Sequence, residues 1–371
     1  MAATFLACAN ARAGSRLLAW GDLKYDMSFS SPSLTGPTLA QVAAGDFHSV
    51  ALQGDGTVLA WGDDQFSQTN MPGALAVNPA TQIAAGNVHS LALLQDGTVL
   101  AWGPPPGQNG DYGQCLVPGG LRSVVQVAAG AAHSLALKSD GTLAAWGLNW
   151  NGQCNVPTGL SNVIAVAGGM YHTLALRSDG TVVAWGDNRQ GESSVPEGLG
   201  HVIAIAAGGF HSLALRDDGT VVSWGTYGLA QCVVPAGLSN VVAIATGDFH
   251  SLALKNDGTL VAWGFDTAGQ CDVPSGLTNV VAIAARGSHS IALIDQSSMV
   301  SIQPPSLSLA VSGANVVVSW PASASGFMLQ QNPDLDPAHW TSVTNLISVL
   351  NGQNQVTLPA SAKMFFQLIG Q

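Results

Sequence analysis

Seven histidines, His48, His89, His133, His172, His211, His250 and His289, sit in near copies of one motif, Val/Ile-Ala-Ala-Gly-x-x-His-Ser-x-Ala-Leu. Imidazole is the commonest transition-metal ligand, so metal binding is the first chemistry this set suggests. The spacing argues against it. The histidines lie 41, 44, 39, 39, 39 and 39 residues apart, at one position of successive units. A repeating array therefore spreads them around a ring and does not gather three or four at bonding distance. The expected role is a brace, because a histidine after a glycine turn can fasten backbone groups of the adjacent strand in every unit. No metal and no cofactor are expected.

Two further residue sets recur with the histidines. Asp-Gly follows at Asp55, Asp96, Asp140, Asp179, Asp218 and Asp257. Calcium needs six to eight converging oxygens, which isolated hairpin aspartates do not supply. These are read as turn residues, with Asp-Gly at the φ > 0 positions of a primed turn. Trp20, Trp61, Trp102, Trp146, Trp185, Trp224 and Trp263 close the units and are read as core wedges. Catalytic signatures are missing: there is no Gly-x-Ser-x-Gly elbow, His-Glu-x-x-His, phosphate loop or carboxylate pair in an irregular segment set apart from the repeat. The expectation is a binding protein and not an enzyme.

What differs between units says more about function than what recurs. The segment after Trp-Gly carries Lys24-Tyr25, Gln65-Phe66, Tyr112, Asn149-Trp150, Asn188-Arg189, Tyr227 and Phe265 in turn. Equivalent loops of a ring share a face. Tyr25, Phe66, Tyr112, Trp150, Arg189, Tyr227 and Phe265 are thus expected to form a partner-binding rim, since Tyr, Trp and Arg most often anchor protein interfaces. The insertion Pro104-Pro105-Pro106-Gly107-Gln108-Asn109-Gly110 interrupts this rim with a stiff loop that could gate or extend a site.

The elements that must position these residues follow from the period of about 39. In Asn240 to Pro274, Val-Val-Ala-Ile-Ala reads as one strand, His-Ser-Leu-Ala-Leu-Lys as a second and Leu-Val-Ala-Trp-Gly as a third. Gln270 to Pro274 reads as a short fourth, where proline suits an edge. Four antiparallel strands per unit describe a propeller blade. The chain opens on the second half of a unit (Trp20-Gly21) and the period ends on a first half (His289-Ser290), so joining the two completes a seventh blade and hides two sheet edges. The expected fold class is all-β: a seven-bladed β-propeller over residues 16–303, closed by N- and C-terminal halves of one blade.

These residues resemble the regulator of chromosome condensation 1 repeat family over roughly residues 16–298. The variant Gly152-Gln153-Cys154-Asn155-Val156-Pro157 looks most like the family's bacterial branch. The resemblance implies a seven-bladed propeller. The bacterial branch includes secreted inhibitor proteins that bind β-lactamases with one propeller face, and the eukaryotic founder is a nucleotide exchange factor for a small GTPase on chromatin. Nothing here matches the founder's basic chromatin-binding tail, so exchange activity is not carried over.

After Gln303 the period stops, and residues 304–371 alternate apolar and polar positions in six short runs. They suggest a small β-sandwich that resembles fibronectin type III modules appended to exported bacterial proteins. Residues 1–15 are small and apolar, and Ala11-Arg12-Ala13 has the form of a signal cleavage site. They are read as a possible remnant of a secretion signal, which makes the protein exported. Four of five cysteines, Cys115, Cys154, Cys232 and Cys271, occupy one repeat position that elsewhere holds Ser28, Thr69 and Ser193. Free, packed thiols are expected there, with Cys8 left over.

Composition closes off other classes. Eleven Lys plus Arg against 22 Asp plus Glu give a formal charge of −11, with no basic cluster to displace phosphate counterions, so nucleic acid is not an expected partner. No run approaches the ~20 apolar residues of a membrane span. The expected partner is a protein. A glycan held by rim aromatics or by Trp320 and Trp340 is the alternative, and an enzyme site in the central channel is the third reading.

Overall fold

The computed structural model describes residues 16–23, 38–225, 230–295, 307–312, 315–322, 327–332, 341–343, 347–350, 353–359 and 365–370. The signal-remnant reading of 1–15 and the positions of Cys8, Tyr25, Ser28, Tyr227 and Trp340 lie outside them. The chain divides into two compact units, Met1–Ser298 and Met299–Gln371.

Among its described residues the first unit contains seven three-stranded antiparallel sheets. In sheet 1 the inner strand Leu39–Ala44 pairs with the middle strand His48–Gln53, which pairs with the outer strand Val58–Gly62. Sheets 2 to 6 repeat this order within residues 80–102, 124–147, 163–186, 202–224 and 241–264. Sheet 7 draws on both ends of the unit: Val280–Arg286 and His289–Ile294 pair with each other, and Arg16–Gly21 completes the sheet in register from Arg16↔Ile294 to Gly21↔His289. Each inner strand contacts the inner strand of the next sheet, and that of sheet 7 contacts that of sheet 1, so the series is cyclic.

Stacking explains why the middle strands bury residues on both faces. Leu91, Ala92, Leu135, Ala136, Leu174 and Ala175 have no accessible surface, because a neighbouring sheet covers each side. Apolar clusters accordingly span two sheets: Val50, Leu52 and Val58 of sheet 1 pack with Ile83, Ala92 and Trp102 of sheet 2. Leu17, Ile291 and Leu293 of sheet 7 pack with Leu39, Val42 and Ala51 of sheet 1. Each buried leucine stabilises by about 1.5–3 kcal/mol, but only when its neighbour sheet is present.

Two expectations need correction. The fourth strand is not formed, since Asp272 N–H donates to Gly269 O and Val273 N–H to Cys271 O within a turn, leaving no ladder to join. The Asp-Gly turns are also not primed. Gly56 alone has positive φ (87°), its N–H donates to Gln53 O at 2.9 Å, and Asp55 stays out of the left-handed region. This is the type I turn with a left-handed glycine, and Asp55 Oδ1 accepts the Thr57 N–H at 2.9 Å.

The second unit has two antiparallel sheets. One orders Ser308–Ser312, Asn315–Pro321, Gln353–Pro359 and Ser348–Leu350; the other orders Thr341–Ser342, Phe327–Asn332 and Phe365–Gly370. Their shared core joins Val318, Trp320, Val356 and Leu358 to Leu329. Trp320 is fully packed in it, so its ring is not open to a sugar, one of the two placements of the glycan alternative.

Candidate functional site: one face of the ring

Strand direction sorts the loops onto two faces. In sheet 1 the register His48↔Gly62 sets the Gly-x-x-His turn beside the end of the outer strand, and Asp63 N–H donates to Phe47 O at 2.8 Å. Leu148 bonds Ala132, Asp187 bonds Tyr171 and Phe265 bonds Phe249 in the same way. The Gly-x-x-His turns and the segments after Trp-Gly therefore share one face, the loop face. The Asp-Gly turns occupy the other, the turn face.

Among the described residues of the loop face Trp150 is the most exposed aromatic, at 75% of its surface, and Tyr112 meets it edge-on with ring centroids 5.4 Å apart. Phe66 and Phe265 are half-buried. Phe265 lies edge-on to Phe249 at 6.2 Å, and Phe249 stacks on Phe210 at 5.5 Å. Arg189 is exposed but engaged: its Nε donates to both Asp187 oxygens at 2.9 Å and Nη2 to Oδ2 at 2.6 Å. This pairing holds the Asp187 carboxyl below its usual range. Phe210 and Phe249 were not singled out by sequence, although the x-x positions before each histidine vary between units as the rim does. The proline insertion does not stand free, because Pro104 is buried and Gly110 lies against the Phe66 ring.

Side chains fix these loops internally. The Oδ1 atoms of Asp64, Asn149, Asn188 and Asp266 accept the N–H groups of Thr69, Cys154, Ser193 and Cys271 at 2.7–3.0 Å. Gln68, Gln114, Gln153 and Gln270 accept the N–H groups of Phe66, Tyr112, Asn151 and Ala268 through Oε1. Exposed aromatics are thus held on a preorganised frame, which lowers the entropic cost of binding.

At the centre of this face sits a residue that breaks the repeat. Arg286 occupies the place of Gly45, Gly86, Gly130, Gly169, Gly208 and Gly247 in the other units. It is buried: Nε lies 3.5 Å from Asp46 Oδ1, Nη2 donates to Asn87 Oδ1 at 3.0 Å, and Nη1 donates to Gly168 O at 3.3 Å. One side chain from sheet 7 thereby reaches the turns of sheets 1 and 2 and the inner strand of sheet 4. Burial, reinforced by the Asp248 charge and opposed by Arg286, pushes the Asp46 carboxyl up to about 8; burial also raises that of Asp248. Below this cluster lies a cavity of about 230 Å³, lined by Ala44, Ala85, Ala129, Gly168, Ala207 and other inner-strand residues. Thr246 and Arg286 are the only polar side chains in its lining, a poor basis for the central-channel enzyme reading.

The repeated histidines lie buried behind the turns, and six of them join sheets through a side-chain hydroxyl of the next sheet. His48 Nε2 is 2.8 Å from Ser90 Oγ, which donates to Gln68 O at 3.2 Å, and Trp102 Nε1 donates to that same carbonyl at 2.9 Å. Because the hydroxyl donates to the carbonyl, its oxygen accepts from histidine, so Nε2 carries the proton. The relay recurs from His89 to Ser134 and Trp146, His133 to Thr173 and Trp185, His172 to Ser212 and Trp224, His211 to Ser251 and Trp263, and His250 to Ser290 and Trp20. Burial pulls His48, His133, His172, His211 and His289 down to about 3 and His250 to about 4, keeping them neutral at neutral pH. Cys115, Cys154, Cys232 and Cys271 are free and half-buried, and desolvation raises their thiol pKa values.

Six segments, residues 39–68, 80–114, 124–153, 163–192, 202–226 and 241–270, match the Regulator of chromosome condensation (RCC1) repeat. No curated protein matches the chain. Among solved structures, Prp20p from Saccharomyces cerevisiae, described with its binding to Gsp1p and histones, is similar at 20% identity and TM-score 0.64, over 77% of this chain and 92% of its own. Yeast RCC1 (Prp20) bound to Kap60 gives TM-score 0.67 at 20% identity, over 78% of this chain and 91% of that one. Human WBSCR16 gives 0.59 at 22% identity, over 76% and 99%. Repeats and fold agree, and the chain is an RCC1-repeat protein with a β-propeller fold.

Proposed function

We propose that this chain is a non-catalytic, seven-bladed propeller that binds a protein through its loop face. The observation that carries this reading is Trp150, three-quarters exposed beside exposed Tyr112 on loops fixed by their own side chains. A large ring left in water on a rigid frame contributes little to the fold and much to a complex, where such anchors are worth about 2 kcal/mol or more each. The yeast protein of similar fold supports the reading, since it is described with the protein partners Gsp1p, histones and Kap60. The same reading makes the protein exported, in line with the apolar start of the chain, and treats residues 304–371 as a fibronectin-like accessory module.

The test compares baits. Wild type, a Trp150→Ala/Tyr112→Ala variant and a turn-face Lys138→Ala/Lys255→Ala variant are used for affinity capture from the native host's envelope fraction. The loop-face variant should keep the wild-type melting temperature and lose the captured protein, while the turn-face variant keeps both. Capture that survives the loop-face variant and fails with the turn-face one overturns the assignment of the face. N-terminal sequencing of the mature protein tests export, with an intact Met1 in the cytosolic fraction counting against it.

A further inference from the structure

Charge is segregated between the two faces of the propeller. Of the described Lys and Arg residues in the first unit, Arg16, Arg122, Lys138, Arg177, Arg216 and Lys255 all lie at the turn-face ends of strands or in the connections there. Among the described residues the loop face has Arg189 and Arg286, which are committed to Asp187 and to Asp46; Lys24, in the segment after Trp20-Gly21, lies outside the described residues. Acids are distributed differently. The loop face carries Asp22, Asp64, Asp266 and Asp272 exposed and Asp63 and Asp111 half-buried, around the central Asp46 and Asp248. No described lysine or arginine lies within ion-pair distance of Asp64, Asp266 or Asp272. Among the described residues, exposed aromatic rings and carboxylates far from any cation occur together on the loop face.

Resting on the loop-face reading above, we infer that the partner segment docked there is cationic, an arginine-rich stretch of protein. Two features of the face fit arginine in particular. Carboxylates accept its paired N–H groups, and exposed indole and phenol faces attract its flat cation. Charge complementarity at the rim steers encounter and sets salt dependence, while the aromatic anchors hold the complex. On the turn face Asp55, Asp96, Asp140, Asp179, Asp217, Asp218 and Asp257 stand among six cations, two of which pair with Asp140 and Asp257, so the surplus of acid there is smaller.

The experiment uses the full chain and a fluorescein-labelled twelve-residue peptide alternating arginine and glycine, with a glutamate–glycine peptide as its counterpart. Anisotropy should show saturable binding of the arginine peptide, weakened about tenfold between low and physiological salt, and none of the glutamate peptide. The variant Asp64→Asn/Asp266→Asn/Asp272→Asn should lose about tenfold or more in affinity. Its fold is protected, because Asn149 and Asn188 already make the same loop bond that Asp64 and Asp266 make. Asp140→Asn/Asp179→Asn/Asp218→Asn changes net charge equally on the turn face and should leave binding within about twofold, which separates a patch from bulk acidity.

Equal losses in the two triple variants, or no loss in either, overturn the cationic partner. If Trp150→Ala/Tyr112→Ala still abolishes capture from the envelope fraction, the loop-face reading stands without it. If that variant changes neither measurement, both fail.

Discussion

Six joints between sheets share one design, and the seventh has another. In the six, a neutral histidine bonds a hydroxyl of the next sheet, and that hydroxyl shares a carbonyl with the next tryptophan. At the seam between sheets 7 and 1, His289 Nε2 and Ser49 Oγ do not bridge. The cause is local. In the six, a Cβ on the preceding glycine would overlap the histidine ring and the next sheet's glycine carbonyl, so only glycine admits the bridge. Arg286 brings a Cβ to that place and substitutes an ion pair with Asp46. A brace that needs no charge can be copied around the ring, whereas a buried charge has to be matched once, by a particular partner.

The largest effect that separates the two designs is on acid stability. Six of the histidines are held near 3 to 4 when folded, burial lowers His89 as well, and all return to about 6.5 when unfolded. Between these values the unfolded chain binds more protons, so stability falls as pH drops below 6.5, by up to about 1.4 kcal/mol per pH unit for each histidine. Asp46 acts with the opposite sign: its folded value near 8 exceeds its unfolded 3.8, so its contribution is present at low pH and lost as pH rises towards 8. Denaturant titrations from pH 3 to 9 should show a steep acid limb, a maximum near 6.5 and a shallow decline above it. A flat acid limb would mean that the histidines are not buried as neutral groups.

Arg286→Met comes next. It leaves Asp46 and Asp248 buried without a cation and should cost about 3–5 kcal/mol at pH 8, with a smaller loss at pH 5 where the acids take up protons. Urea unfolding at the two pH values checks it, and a loss independent of pH would show that packing and not charge matters at the seam. His211→Ala should cost about 1–3 kcal/mol in thermal melts and be indifferent to chelator. His289→Ala should cost less, because no bridge is lost, and equal costs would erase the distinction between joints. The smallest effect is expected for Cys154→Ser. Ser193 already occupies the equivalent place, donating to Asp187 O as Cys154 Sγ does to Leu148 O, so calorimetry should register a change within about 0.5 kcal/mol.

Regularity made the propeller legible in its sequence, and the irregular residues were the ones missed. The alternation in His-Ser-x-Ala-Leu and the glycine of each Asp-Gly turn place strands and hairpins without long-range information. The fourth strand misled because the carbonyl of Gln270 serves Trp20, 250 residues away, and no local pattern announces that use. Arg286 was overlooked because a single departure from Ala-Ala-Gly reads as drift, while its importance arises from three sheets meeting at one point. For the rim, residue type indicated which side chains could bind but not how deeply each would sit. Trp150 and Tyr112 stand out, whereas Phe66 and Phe265 lean inward on Gly110 and Phe249.

Arg16–Gly21 pairs with a strand that ends at Ile294, and this fixes an order of events in the cell. Arg16–Gly21 cannot be placed in its sheet until nearly 280 further residues have been made. At synthesis rates of about 5–20 residues per second it waits roughly 15–55 s with its backbone unpaired. The other six sheets are contiguous in sequence and can stack as they emerge. Closure of the ring is then a late, long-range step, and during that interval the protein is an open stack with a sheet edge at each end.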